Sequence, residues 1–172
     1  MRSIYCDLDG VLADLVGMVG YIYGADPTGP VTYDGIDEWL ADRWLADGPD
    51  PSIFAGLSQK QWASIPPYPG ALDFLSELQA LGRVTIVTHA VGEAARAGKV
   101  EWLQYHAPDV PIAFIAPEFR QVLAAIDGAV LVDDRPATIN MFDPARGFLV
   151  RRRWSPSGLE YGDILDKIRG LE

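Results

Sequence analysis

Cysteine is nearly absent: Cys6 is the only one in 172 residues, so no internal disulfide framework exists. Histidine is almost as scarce, with two, which removes support for a His/Cys zinc site. Basic residues are in deficit, 14 Lys and Arg against 24 Asp and Glu, for a net charge of −10. Phosphate backbones are bound through basic patches, so a nucleic-acid polymer is not the expected partner. A smaller anionic substrate would need local cations or a metal to overcome the overall repulsion. No apolar run approaches the ~20 residues of a membrane-spanning helix. The N-terminus is already a strand-like run ending in acids and does not read as a signal peptide. A soluble cytoplasmic protein without a membrane partner is expected.

Hydrophobic residues make up 49% of the chain, enough for a buried core in one ordinary domain with a modest insertion. The organising stretch is Ile4-Tyr5-Cys6-Asp7-Leu8-Asp9-Gly10-Val11-Leu12-Ala13-Asp14. An apolar strand over 2–6 ends in two aspartates spaced two apart. Gly10 permits a turn that a side chain would obstruct, and Asp14 is placed to cap a helix starting near Leu15. Cys6 reads as a small buried side chain rather than a nucleophile.

A short helix is expected over 15–23. The stretch 24–67 then changes character, with Pro27, Pro30, Pro49, Pro51, Pro66 and Pro67 set among Tyr33, Trp39, Trp44, Phe54 and Trp62. Two short helices fit there, 37–46 and 58–64, the second with Ser58 as N-cap. We read 24–67 as a small helical cap inserted into a core made of 1–23 and 68–172.

From Tyr68 onward the pattern is regular. A helix over 71–81 carries Leu72, Leu75, Leu78 and Leu81 along one face and stops at Gly82. Strands are expected at 83–87, 112–115, 129–132 and 147–150, and helices at 92–106, 117–126 and 159–171. This alternation predicts a doubly wound, Rossmann-like α/β fold with a parallel sheet. The strands are apolar without alternation, as suits a sheet covered on both faces. The basic run Arg151-Arg152-Arg153 is expected at a solvated strand end.

Three strands end in polar residues: Asp7 and Asp9, then Thr88, then Asp133 and Asp134. Parallel strands bring their carboxyl ends to one edge, where ligands of open α/β sheets bind. Four clustered acids repel, and some would take up protons unless a cation were present. Mg²⁺, held by one or two carboxylates, waters and a substrate phosphate, answers that need.

The string Asp7-Leu8-Asp9-Gly10-Val11-Leu12-Ala13-Asp14 resembles the first motif of the haloacid dehalogenase-like phosphohydrolases. Thr88 and Asp133-Asp134 stand where that superfamily has its second and fourth motifs. Ile65-Pro66-Pro67-Tyr68-Pro69-Gly70-Ala71 and Asp133-Asp134-Arg135-Pro136 look most like the 5′(3′)-deoxyribonucleotidase branch, which also has a small cap between its first two motifs. The resemblance implies phosphomonoester hydrolysis in two steps. Asp7 would be the nucleophile that forms an aspartyl-phosphate, and Asp9 the general acid and then base. Mg²⁺ would be held by Asp7, by the backbone carbonyl of Asp9, and by Asp133 or Asp134. Thr88 would hold the phosphate.

Two departures from the branch stand out. The basic residue before the fourth motif is usually lysine. Here it is Arg120, while Lys99 also matches a basic position, so either would be the main phosphate cation. After Thr88 the chain has His89-Ala90 instead of a small residue and proline, which leaves His89 as a loop residue or a participant. Of the cap aromatics, Phe54 matches a position where the branch has one and is the favoured platform for a nucleobase, ahead of Tyr33 and Trp39. The substrate implied is a nucleoside monophosphate. The alternatives are another small phosphate ester, or a non-catalytic phosphate-binding role, against which the presence of both Asp7 and Asp9 argues.

Overall fold

The computed structural model describes residues 1–22, 54, 56–152 and 155–171, and of residues 19–22 only the backbone. The helix expected over 37–46, Tyr33, Trp39 and most of the stretch 24–67 expected as a cap lie outside the described residues, as does Arg153.

Among the described residues five strands form one sheet: β1 (Ser3–Cys6), β2 (Arg83–Thr88), β3 (Ile112–Phe114), β4 (Val130–Asp133) and β5 (Gly147–Leu149). Their order is β3-β2-β1-β4-β5, and every neighbouring pair is parallel. β1 therefore lies at the centre, with Cys6 opposite Ile86 on one side and Val132 on the other. β1's neighbours depart in opposite directions through the sequence, which is the switch point of a doubly wound sheet.

The period-two alternation of the strands divides the core between two faces. Ile4, Cys6, Val84, Ile86, Val130 and Val132 pack on one face. They meet α3 (Ala71–Leu81), α4 (Glu93–His106) and α6 (Tyr161–Arg169) through Phe74, Leu78, Trp102, Leu103, Ile164 and Ile168. Val87 and Leu131 point the other way, onto Leu123 and Phe142, with Tyr5 and Ile139 beside them. That thinner layer is built by the 3₁₀ helix Pro117–Ala125 and by α5 (Pro136–Asn140).

Local signals explain most element ends. Asp14 accepts from the Gly17 amide at 2.9 Å, so it caps α1 (Leu15–Ile22) as expected. Ser58 caps α2 (Gln59–Ala63) through a capping box with Gln61. α3 ends at Gly82, where the chain continues directly into β2.

Three expectations are corrected. The buried face of α3 is Ala71, Phe74, Leu75 and Leu78, while Leu72 is exposed and Leu81 half-buried. The stripe is set by Phe74, whose ring stacks on Tyr161 at 4.4 Å. The segment 117–126 is a 3₁₀ helix rather than an α-helix. Its three-residue repeat puts Pro117, Arg120 and Leu123 in one inward line. Arg152 does not point into solvent at a strand end: its guanidinium folds back onto the turn after Asp9.

The segment leading into α3 is fastened to the rest. The Trp102 indole donates to the Ile65 carbonyl at 2.7 Å. The Asp14 amide donates to the Pro66 carbonyl, and the Tyr68 amide to the Leu12 carbonyl. α2 lies against α4 so closely that a Cβ on Gly98 would stand 2.3 Å from the Trp62 Cβ.

Candidate active site

Asp7 follows β1, Thr88 ends β2, and Asp133 ends β4, so the sheet delivers all three to its carboxyl edge. Asp134 is the next residue and Asp9 sits one turn beyond Asp7. Gly10 adopts φ 74°, in the region that favours glycine, and packs against Asp134. A Cβ there would lie 2.0 Å from an Asp134 carboxylate oxygen. Glycine at this point lets the backbone of the first motif touch the carboxylate of the fourth.

Carboxylate oxygens of Asp7, Asp133 and Asp134 lie within 4.8 Å of one another, and all three residues are buried. Arg120, 1% exposed, reaches into this cluster from the 3₁₀ helix. It grips Asp7 with both terminal nitrogens, at 2.7 and 3.2 Å, and also pairs with Asp133. Asp133 further accepts from the Arg135 amide at 2.8 Å, and Asp7 from the Leu8 amide at 2.7 Å.

Burial and the neighbouring Asp7 charge push Asp133 up to about 6, against the pull of Arg120. Burial draws Arg120 downward, but the Asp7 and Asp133 carboxylates hold it above its ordinary value. The three carboxylates make an all-oxygen donor set, which suits a hard divalent cation.

Asp9 belongs to a different arrangement. Its carboxylate pairs with Lys99, which rises from α4 and also donates to the Thr88 hydroxyl at 3.0 Å and to the His89 carbonyl. Lys99 is 2% exposed and lies over the Trp62 ring at 5.0 Å. Burial raises Asp9 above the usual carboxylate range, with Lys99 opposing. The structure thus brings together Asp7, Asp9, Thr88, Lys99, Arg120, Asp133 and Asp134. It separates them into a buried acid cluster around Arg120 and a Lys99 group holding Asp9 and Thr88. The Asp9 carboxylate is not among the clustered oxygens.

A cleft opens over these groups. Its charged wall includes Asp7, Asp9, Lys99, Arg120, Asp134 and Arg135, and its other wall is Leu15, Phe54, Trp62, Val91 and Pro117, with His89 alongside. The His89 side chain is exposed and held below its ordinary value by partial burial and by Lys99. Phe54 lines the cleft but is only 4% exposed, its ring 6.1 Å from Trp62. Among the described residues, the buried side-chain polar atoms without a partner are one Asp9 carboxylate oxygen, the Trp62 indole N–H and the Arg120 Nε. All three belong to residues of this one cleft.

Sequence reasoning missed Trp62 and Arg135 as cleft residues. Arg135 directly follows the paired acids, a signal that was available. Trp62 was visible only as one aromatic among several, because its place depends on the close approach of α2 to Gly98.

Comparisons with known proteins agree with this architecture. A solved haloacid dehalogenase-like hydrolase from Burkholderia xenovorans LB400 superposes with a TM-score of 0.55 at 17% identity, covering 96% of this chain and 97% of its own. At that identity the likeness shows the fold. No curated protein matches the sequence. The model of the family described as 5′ nucleotidase, deoxy (pyrimidine), cytosolic type C protein (NT5C) matches residues 2–153. That span takes in both aspartate motifs and every charged residue of the cleft, and the chain therefore belongs to the NT5C family, and with it to the phosphoric monoester hydrolases.

Proposed function

We propose that this enzyme is a Mg²⁺-dependent phosphatase of nucleoside monophosphates, of the 5′(3′)-deoxyribonucleotidase kind, working through an aspartyl-phosphate on Asp7. The observation that carries the reading is the different company of two neighbouring carboxylates. Asp7 lies in the buried cluster with Arg120, and Asp9 is held apart on Lys99. A nucleophile and an acid/base group need such a division of environments.

The phosphoryl group would rest between Thr88, Lys99 and Arg120. Asp7 attacks phosphorus as the bond to the leaving oxygen breaks, and Asp9 gives that oxygen its proton. A phosphate competing for Lys99 weakens the pull that opposes burial at Asp9. Burial then favours the protonated form that the first step needs. In the second step Asp9 takes a proton from water as the water attacks phosphorus, and phosphate leaves with Asp7 restored. Arg120 stays on Asp7 throughout and offsets charge on the phosphoryl oxygens.

Mg²⁺ would be held by Asp7, Asp133 and Asp134 with the Asp9 backbone carbonyl. When bound it would supply positive charge that stabilises the charge developing on the phosphoryl oxygens. The segment 24–67 would act as a cap that selects the leaving group, and the family name's "cytosolic" supports a cytoplasmic setting. Among the described residues no helix is long and apolar enough to cross a membrane.

The test is phosphate release from deoxy- and ribonucleoside monophosphates and from sugar phosphates, with and without Mg²⁺. Preference for a deoxynucleotide supports the reading. Preference for a sugar phosphate moves it to another small phosphate ester, and no release from any ester rejects it.

A further inference from the structure

Arg152 is tied to the first-motif turn by two hydrogen bonds. Its Nε donates to the Gly10 carbonyl at 2.6 Å. Its Nη2 donates to the Val11 carbonyl at 3.0 Å and to the Tyr161 hydroxyl at 2.7 Å. The Tyr161 hydroxyl itself donates to the Val11 carbonyl. The guanidinium stacks on the Tyr68 ring at 4.0 Å and stands 5.4 Å from the Tyr161 ring. Such a planar, always-charged fork suits two carbonyls and an aromatic face together, and lysine does not reproduce it.

The position of this clasp matters. Gly10 directly follows Asp9, and its α-carbon lies against the Asp134 carboxylate. The turn is thus held by Arg152, bound to its carbonyls, and packed at Gly10 against Asp134. The groups assigned to the phosphate sit elsewhere: Thr88 on β2, Lys99 on α4 and Arg120 on the 3₁₀ helix. Those groups stand on other elements, so loosening the turn would act first on Asp9, whose carboxylate pairs with Lys99.

We propose that Arg152 is a positioning residue that holds the Gly10–Val11 turn so that Asp9 meets the leaving oxygen. This rests on the reading of Asp9 as the general acid. The lesion has a signature that general destabilisation lacks. An alkyl oxygen leaves poorly without a proton, whereas 2,4-dinitrophenolate leaves unaided. The ratio kcat/KM reports only steps up to the first irreversible one, so it isolates the step in which the leaving group departs.

The experiment compares kcat/KM for a nucleoside monophosphate and for 2,4-dinitrophenyl phosphate in the parent, Arg152→Met, Arg152→Lys, Tyr161→Phe and Asp9→Asn. General acids contribute about 10²–10⁴-fold. Arg152→Met should therefore lose roughly ten- to a hundredfold on the nucleotide and stay within about threefold on the dinitrophenyl ester. Tyr161→Phe should show the same pattern more weakly, and it carries the test with Arg152→Lys if Arg152→Met does not fold. Equal losses on both esters, or none, would overturn the proposal. If Asp9→Asn discriminates between the esters and the Arg152 and Tyr161 variants do not, only the role of Arg152 falls. If Asp9→Asn does not discriminate either, the general-acid reading falls with it.

Discussion

Arg120 and Asp7 form a buried two-pronged ion pair, with the guanidinium nitrogens 2.7 and 3.2 Å from the two carboxylate oxygens. Paired in this way, the Asp7 carboxylate is fixed in position by a buried guanidinium. A fixed carboxylate with its charge offset by a rigid cation is the form in which a weak oxygen nucleophile can be aimed.

Asp7→Asn should abolish turnover with the fold intact. Loss of the covalent step removes several kcal/mol of transition-state stabilisation, at about 1.4 kcal/mol per tenfold in rate. The thermal transition should not fall, because one of the crowded buried charges is gone. Steady-state turnover within tenfold of the parent would exclude Asp7 as nucleophile.

Replacing Arg120 and Lys99 by Met in turn ranks the two cations. Arg120→Met should lose far more kcat, since it strips Asp7 and Asp133 together of their counter-charge. It should also lower stability by about 3–5 kcal/mol, the cost of leaving buried charges unpaired. Chemical denaturation beside kinetics checks both. A larger kcat loss in Lys99→Met would exchange the roles.

Chelation should stop hydrolysis, and added Mg²⁺ should raise the melting temperature, by about 2.7 kcal/mol in stability at a hundred times its Kd. The pH dependence has a definite sign. Asp133 is pushed up to about 6 in the fold, against about 3.9 for a free aspartate. Between these values the folded state binds the extra proton. Metal-free stability should therefore fall as pH rises from about 4 through about 6 and then level off. The stabilisation by Mg²⁺ should grow over the same window. Asp133→Asn should flatten that part of the metal-free profile, and melting curves at stepped pH decide it.

Phe54→Ala should raise KM for a nucleotide by roughly ten- to a hundredfold, as expected from the ~1–3 kcal/mol of a stacked base, with little change for a small aryl phosphate. The ring lines the cleft and packs beside Trp62, so a purely architectural role makes the opposite prediction. In that case both substrates lose equally, with a drop in melting temperature.

Features fixed by neighbours in sequence were legible. Apolar strands that stop at Asp7, Thr88 and Asp133 announce a shared edge, because parallel pairing aligns their ends. Asp14 and Ser58 announce helix starts through bonds to amides three residues on. Features that depend on distant approach were hidden. Arg152 reads as one of three solvated arginines until its Gly10 partner, 142 residues away, is in place. The 3₁₀ winding of 117–125 follows from the need to turn both Arg120 and Leu123 inward, which spacing alone does not distinguish from an α-helical face. Lys99 and Asp9 fall on separate elements with nothing local to join them.

The central place of β1 sets a condition on biosynthesis. Among the described strands β1 pairs with two that begin at Arg83 and Val130, so one of its edges stays open until β2 is made and the other until β4 is made. Contacts of such long sequence separation form slowly, and unpaired strand edges invite association with other chains. Truncations ending before Val130 would leave one edge of β1 without its partner and should come off the ribosome prone to aggregate.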